Sequence, residues 1–269
     1  MRISVFQFSP RFGQVKDNLK RVENTLAGKK TDLLVLPELF STGYLFRSKD
    51  ELALFAEPVP QGPTTVALIN LSKKTGASIV ACIPERAGKR IYNSAIIISP
   101  RGFVGTYRKI HLFDREKLLF DEGNLPLSVF DLGFARIGVI VCFDWFFPEA
   151  TRVLALKGAQ IVCHCANLVL PWCQEVARAR ALENRVFFVT ANRTGRESRG
   201  RRHLEFTGKS QIVSPCAEVL LRFSAKEEGL KTIEIDPKQA DNKRLTQFNH
   251  VTKDRRPRFY RAICVGTRR

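Results

Sequence analysis

Strand-length apolar runs recur along the chain with helical patterns between them, and this recurrence constrains the fold more than any single segment does. Strands are expected at 2–8, 32–36, 78–83, 93–99, 103–109, 136–141, 160–165, 186–191, 209–214, 219–223 and 231–235. Several are near-continuous Val, Ile, Leu and Phe, as strands covered on both faces must be. Helical periodicity marks 15–26, 64–75, 148–157 and 174–184, each after a strand. Gly-containing turns at 100–102 and 131–133 join neighbouring strands, so hairpins are mixed among βαβ units. No Gly/Ser linker, low-complexity tract or fixed-period repeat interrupts the pattern, so the expectation is one α/β domain over 1–269.

The chain has 269 residues, and its 44 Lys plus Arg against 26 Asp plus Glu give a formal charge of +18. Its richest apolar stretch, 137–147, is short and contains Asp144, so no membrane span is expected. The N-terminus alternates like a strand rather than forming a signal peptide. Seven cysteines, an odd number without a secretory signal, point to reduced thiols and a cytoplasmic location.

Three segments carry charge or nucleophilicity where the pattern is otherwise apolar. The strand 136–141 ends at Cys142, with Pro148 suited to the first turn of a following helix. A cysteine near a helix N-terminus is exposed to unsatisfied N–H groups that favour thiolate, although a buried small hydrophobe reads the same way. In Leu36-Pro37-Glu38-Leu39-Phe40 a buried-looking strand delivers a carboxylate at its C-terminal end, suiting either a general base or a salt bridge. In 105–113, alternation puts Tyr107, Lys109 and His111 on one face and Arg108 on the other. An inward Lys109 could stabilise an oxyanion; the alternative is a solvated lysine of a basic protein.

Taken together, these segments resemble the nitrilase superfamily of carbon-nitrogen hydrolases, whose signature is a Glu-Lys-Cys triad in this order. Glu38 with its Leu-Pro and Leu-Phe flanks resembles the glutamate motif. Tyr107-Arg108-Lys109-Ile110-His111 resembles the lysine motif, and Cys142-Phe143-Asp144-Trp145 the cysteine motif. The similarity continues in Tyr92-Asn93-Ser94-Ala95, 180–184, 191–195 and 206–210, covering 2 to about 236. It implies a four-layer αββα sandwich, a homodimer or higher homo-oligomer with the tail from about 237 to 269 at the interface, and no metal or organic cofactor. It also implies hydrolysis of a small amide, nitrile or N-carbamoyl compound through a thioester on Cys142. Glu116 stands where the family often carries a second glutamate, with a loop carboxylate paired to Arg115 or Lys117 as the alternative. The Phe143 N–H would serve the oxyanion, and Phe143, Tyr44, Asn167 and Phe146 are expected to bind substrate.

Four departures limit the carry-over: Phe146 replaces a frequent arginine, Cys165 a frequent proline, Ala217 a usual glycine, and Glu122 a common proline. Cys163-His164-Cys165 lies along one strand, where successive residues face opposite sides, so no metal site is expected. No phosphate-binding loop is present. Basic clusters at 193–202, with five arginines and one acid, and at 253–269 read as solvated surface rather than a nucleic-acid site. The competing class is a catalytically idle member acting as a basic nucleic-acid-binding or scaffold protein.

Overall fold

A computed structural model describes residues 1–265, so the last four residues of the second basic cluster and of the tail lie outside the described residues. The first half of the chain forms β1 (Arg2–Gln7), α1 (Val15–Leu26), β2 (Leu33–Val35), α2 (Lys49–Ala53), α3 (Pro63–Thr75), β3 (Ser78–Ala87), β4 (Arg90–Ser99) and β5 (Gly102–Arg108). After α4 (Glu116–Leu119), the second half forms β6 (Val129–Asp131), β7 (Arg136–Val141), α5 (Pro148–Leu156), β8 (Ile161–Ala166), α6 (Cys173–Asn184) and β9 (Phe187–Asn192). It ends with β10 (Arg196–Arg199), β11 (Arg202–Glu205), β12 (Gln211–Val213), β13 (Val219–Arg222) and β14 (Gly229–Glu234).

Two six-stranded mixed sheets result, ordered β14-β1-β2-β3-β4-β5 and β13-β12-β9-β8-β7-β6. Strands β1, β2 and β3 run parallel in the first, as do β7, β8 and β9 in the second. The sheets face each other through β1 with β9, β2 and β3 with β8, and β4 with β7, while α1 and α3 cover one outer face and α5 and α6 the other. This is the expected αββα sandwich.

Strand β3 shows why the runs are apolar on both faces. Val80 and Cys82 enter the core between the sheets. Ile79, Ala81 and Ile83 face α1 and α3, where Val22, Leu26 and Leu68 are buried. Each fully buried aliphatic side chain contributes about 1.5–3 kcal/mol, so a strand with two covered faces is held twice over. On β7, Gly138 admits Leu154 of α5 so closely that a Cβ there would stand 2.8 Å from its Cδ1.

All eleven expected strands and four expected helices are present, with ends shifted by a few residues. The short elements α2, α4 and β6 are additional, since one helical turn or three extended residues leave no readable period. The hairpin β10–β11 is also additional, because its sequence reads as an arginine cluster. Here the solvated-surface reading is corrected: Arg193 is fully buried and paired with buried Glu197 at 2.6 Å, and Arg199 pairs with Glu51 at 2.5 Å. Among the described residues, no helix is long and apolar enough to cross a membrane.

The loop after β5 is set by a close backbone approach. Gly123 donates its N–H to the Lys109 carbonyl at 2.9 Å. A Cβ on Gly123 would stand 2.2 Å from the Arg108 carbonyl oxygen and 2.8 Å from that of Lys109. Backbone cannot yield as a flexible side chain can, so Gly123→Ala is expected to cost about 1–3 kcal/mol. Thermal unfolding should register this as a Tm lower by roughly 2–10 °C; an unchanged Tm would show that the loop gives way freely.

Candidate active site

Glu38, Lys109 and Cys142 arrive from three places at one edge of the sandwich. Glu38 follows β2 after Pro37, Lys109 is the first residue past β5, and Cys142 follows β7 directly. The carboxyl ends of parallel strands are where chain leaving the sheet builds a crevice. Two of the exits turn through left-handed backbone, with φ of 47° at Leu39 and 41° at Cys142. Such a conformation in a non-glycine residue costs on the order of 1–3 kcal/mol and must be imposed by the surroundings.

At Cys142 the imposing group is Asp144. Its carboxylate, fully buried, accepts the Val141 N–H at 2.9 Å and the Tyr107 hydroxyl at 2.7 Å on one oxygen. The other oxygen is 2.7 Å from His111 Nδ1 and accepts the His111 N–H at 3.2 Å. Tyr107 and His111 thus converge as their alternation foretold, while Arg108 turns the other way to Glu85. From beneath, His164 Nε2 lies 2.9 Å from the Cys142 carbonyl oxygen. Burial pushes the His164 imidazole down to about 4, so it is neutral at pH 7. A neutral ring that donates through Nε2 must accept at Nδ1, where the Thr190 hydroxyl lies at 3.2 Å. His164, the middle residue of Cys163-His164-Cys165, therefore supports the turn at Cys142.

The fully buried Lys109 ammonium sits between two carboxylates. It donates to Glu38 Oε1 at 2.8 Å and lies 2.8 and 2.7 Å from the two oxygens of Glu116. Glu116 also accepts the Tyr44 hydroxyl at 2.7 Å and the Phe113 N–H at 3.0 Å. It is a buried member of the cluster, not a loop carboxylate paired with Arg115 or Lys117. Glu38 Oε1 takes a second bond from Asn93 Nδ2 at 2.7 Å, whereas its buried Oε2 has no partner among the described residues.

Burial alone would push the Lys109 ammonium down, but Glu116 and Glu38 outweigh it and hold it well above the ordinary lysine range. Burial raises the Glu38 carboxyl from 4.5 to about 7 against the pull of Lys109, with Glu116 adding to the rise. Burial, then the Glu38 charge, pushes the Cys142 thiol well above its ordinary range, although Lys109 and the Asn167 N–H pull the other way. Burial thus opposes the thiolate that the nearby helix N-terminus would favour, and attack by this sulfur calls for a base such as Glu38.

The substrate-facing expectations divide. Asn167 is buried against the narrow cavity that Cys142 lines, and both polar atoms of its side chain are without partners among the described residues. Phe143 and Trp145, aromatic neighbours of the nucleophile in sequence, line that cavity together with Phe113 and Leu170, which stand apart from them in the chain. Tyr44 reaches the site through Glu116. Phe146 does not line the cavity; it is 51% exposed and stacks on Phe143 at a 5.6 Å centroid distance, because the short 3-10 turn Cys142–Phe146 carries its side chain outward.

A buried thiol, a carboxyl with elevated proton affinity and a fixed ammonium form an arrangement suited to covalent attack on a carbonyl-like carbon. Comparison with known proteins agrees with that chemistry. The family model described as carbon-nitrogen hydrolase matches residues 2–244. A nitrilase of Pyrococcus abyssi is 46% identical over 97% of this chain and 99% of its own. An (R)-stereoselective amidase of a Pseudomonas species is 33% identical over 95% and 92%. The crystal structure of a carbon-nitrogen hydrolase from Helicobacter pylori superposes with a TM-score of 0.89 at 26% identity, covering 98% of both chains. Fold, site geometry and this similarity together make the chain a member of the carbon-nitrogen hydrolase family.

Proposed function

We propose that this enzyme hydrolyses the carbon-nitrogen bond of small linear non-peptide amides, nitriles or N-carbamoyl compounds through a thioester on Cys142. The observation that carries this reading is the unpartnered Glu38 Oε2, a buried carboxylate oxygen left free while Oε1 is held by Lys109 and Asn93. That oxygen takes the Cys142 proton as Sγ attacks the substrate carbon. Lys109 and the Phe143 N–H stabilise the charge that develops on the substrate oxygen or nitrogen. The amine then leaves with the proton held by Glu38, and a thioester remains. Water attacks the thioester after giving its proton to Glu38, the C–S bond breaks, the thiol is restored, and the acid departs. A nitrile adds an earlier thioimidate, which one further water converts into the same tetrahedral stage. Glu116 holds Lys109 in place and keeps the reacting group in line.

The narrow aromatic cavity at Cys142 supports small substrates over peptides. We further infer that the chain acts as one unit, with the segment from 237 onward covering a second copy. Exposed Leu245, Phe248, Phe259 and Ile263 support that role, since apolar side chains gathered on one tail favour a partner surface. The free state of all seven cysteines supports a reducing compartment, the cytoplasm.

Ammonia release from a panel of small amides, dinitriles and N-carbamoyl amines tests the reading. Cys142→Ala should lower turnover by at least about 10³-fold while leaving thermal unfolding intact. Retained activity would remove Cys142 as nucleophile, and silence of wild type with salt-sensitive nucleic-acid binding would favour the idle basic protein. The pH profile follows from Glu38. A base must be ionised to accept the thiol proton, and its carboxyl is raised to about 7. So kcat/KM should climb about tenfold per pH unit below that value and level off above it; a profile already flat at pH 5 would contradict Glu38 as the base.

A further inference from the structure

A second cavity, which shares the Phe113 wall with the one at Cys142, lies around Glu116. Its walls are Tyr44, Phe46, Leu119, Phe120, Arg202 and Leu204, and Phe113 belongs to both cavities. Strand β11 alternates, so Arg202 and Leu204 turn inward, half-buried, while His203 and Glu205 are exposed.

The hairpin that presents Arg202 is fixed. Glu197, opposite Leu204 in the register, is held by buried Arg193 and accepts the N–H groups of Tyr44 and Leu45 at 3.0 and 2.5 Å. Arg199, opposite Arg202, pairs with Glu51 and lies 3.6 Å from the Phe12 ring centre. Arg202 differs from both of these arginines. Its hydrogen bond is to the Phe46 carbonyl at 3.3 Å, and it has no carboxylate within 4 Å among the described residues. Nearby Glu116 is already engaged by Lys109, Tyr44 and Phe113. Asp114 and Arg115, which also line this cavity, are exposed to water and offset each other in charge. A guanidinium partly withdrawn from water, with donors unused and a planar fork suited to two oxygens, is a built receptor for a carboxylate.

We propose that Arg202 binds a carboxylate at the far end of the substrate, so that the preferred substrates are small linear amides ending in a carboxylate, such as the monoamides of short dicarboxylic acids. The apolar walls at Phe46, Leu119 and Leu204 accommodate the intervening methylenes, and the protein's positive charge draws anions to the site. This inference rests on Cys142 as the nucleophile and adds the recognition of the other end.

The test compares the monoamide of a four- or five-carbon dicarboxylic acid with the neutral primary amide of equal chain length, at fixed ionic strength. Wild type should favour the carboxylate-bearing amide. In Arg202→Gln the ratio of the two kcat/KM values should fall about tenfold or more, with the loss in KM and not in kcat; Arg202→Lys should recover part of it. A ratio that holds steady in Arg202→Gln, whether or not both rates fall, would assign Arg202 a structural role and overturn the proposal. Cys142-dependent hydrolysis without preference for the carboxylate would sink this inference alone, whereas no Cys142-dependent hydrolysis of either compound would remove the parent reading too.

Discussion

The ammonium of Lys109, fully buried between Glu38 and Glu116, is the interaction on which the rest of the site depends. Removing one partner from such a buried set typically costs 3–5 kcal/mol, because uncompensated charge remains in a medium that solvates it poorly. The same buried ammonium keeps Glu38 from rising further and moderates the Cys142 thiol, so structural and chemical roles cannot be separated. Glu38, Lys109 and Cys142 share one desolvated space, and their protons are therefore properties of the set rather than of any single residue.

Around that set the fold supplies fixed mounts. Asp144 uses both oxygens to tie the end of β7 to Tyr107 and His111, and His164 holds the Cys142 carbonyl from the neighbouring strand. On the opposite side, Glu197 anchors the loop that carries Tyr44, whose hydroxyl in turn bonds Glu116. Each mount is a buried carboxylate or imidazole with its partners satisfied, and such a network rigidifies where a partly satisfied one would strain. Around them, the atoms without a partner among the described residues include one oxygen of Glu38, the side-chain oxygen of Asn93, the Nε of Arg193 and the amide of Asn167. Of these residues, Asn167 lines the cavity at Cys142.

The sandwich was legible because strands covered on both faces must be apolar throughout, a pattern that survives in β3, β4, β7, β8 and β9. Glu38, Lys109 and Cys142 were legible because each interrupts such a strand at its end. The supporting residues were not. Glu197 and Arg193 read as part of a charged surface stretch, since nothing local reveals that a loop 153 residues before Glu197 will close over them. His164 read as an unremarkable strand residue because its partners, Cys142 and Thr190, stand on neighbouring strands. The outward placing of Phe146 was not legible for a related reason: adjacency to the nucleophile in sequence does not determine which way a 3-10 turn points its side chain.

The central claim is that the acyl group of the substrate passes through Cys142. Wild-type enzyme quenched in acid during turnover of a small amide, then weighed intact and mapped by peptide mass spectrometry, tests it directly. A mass gain equal to the acyl group on the peptide containing Cys142 is the predicted result. Turnover with unmodified Cys142 and an acyl group on another residue would contradict the account.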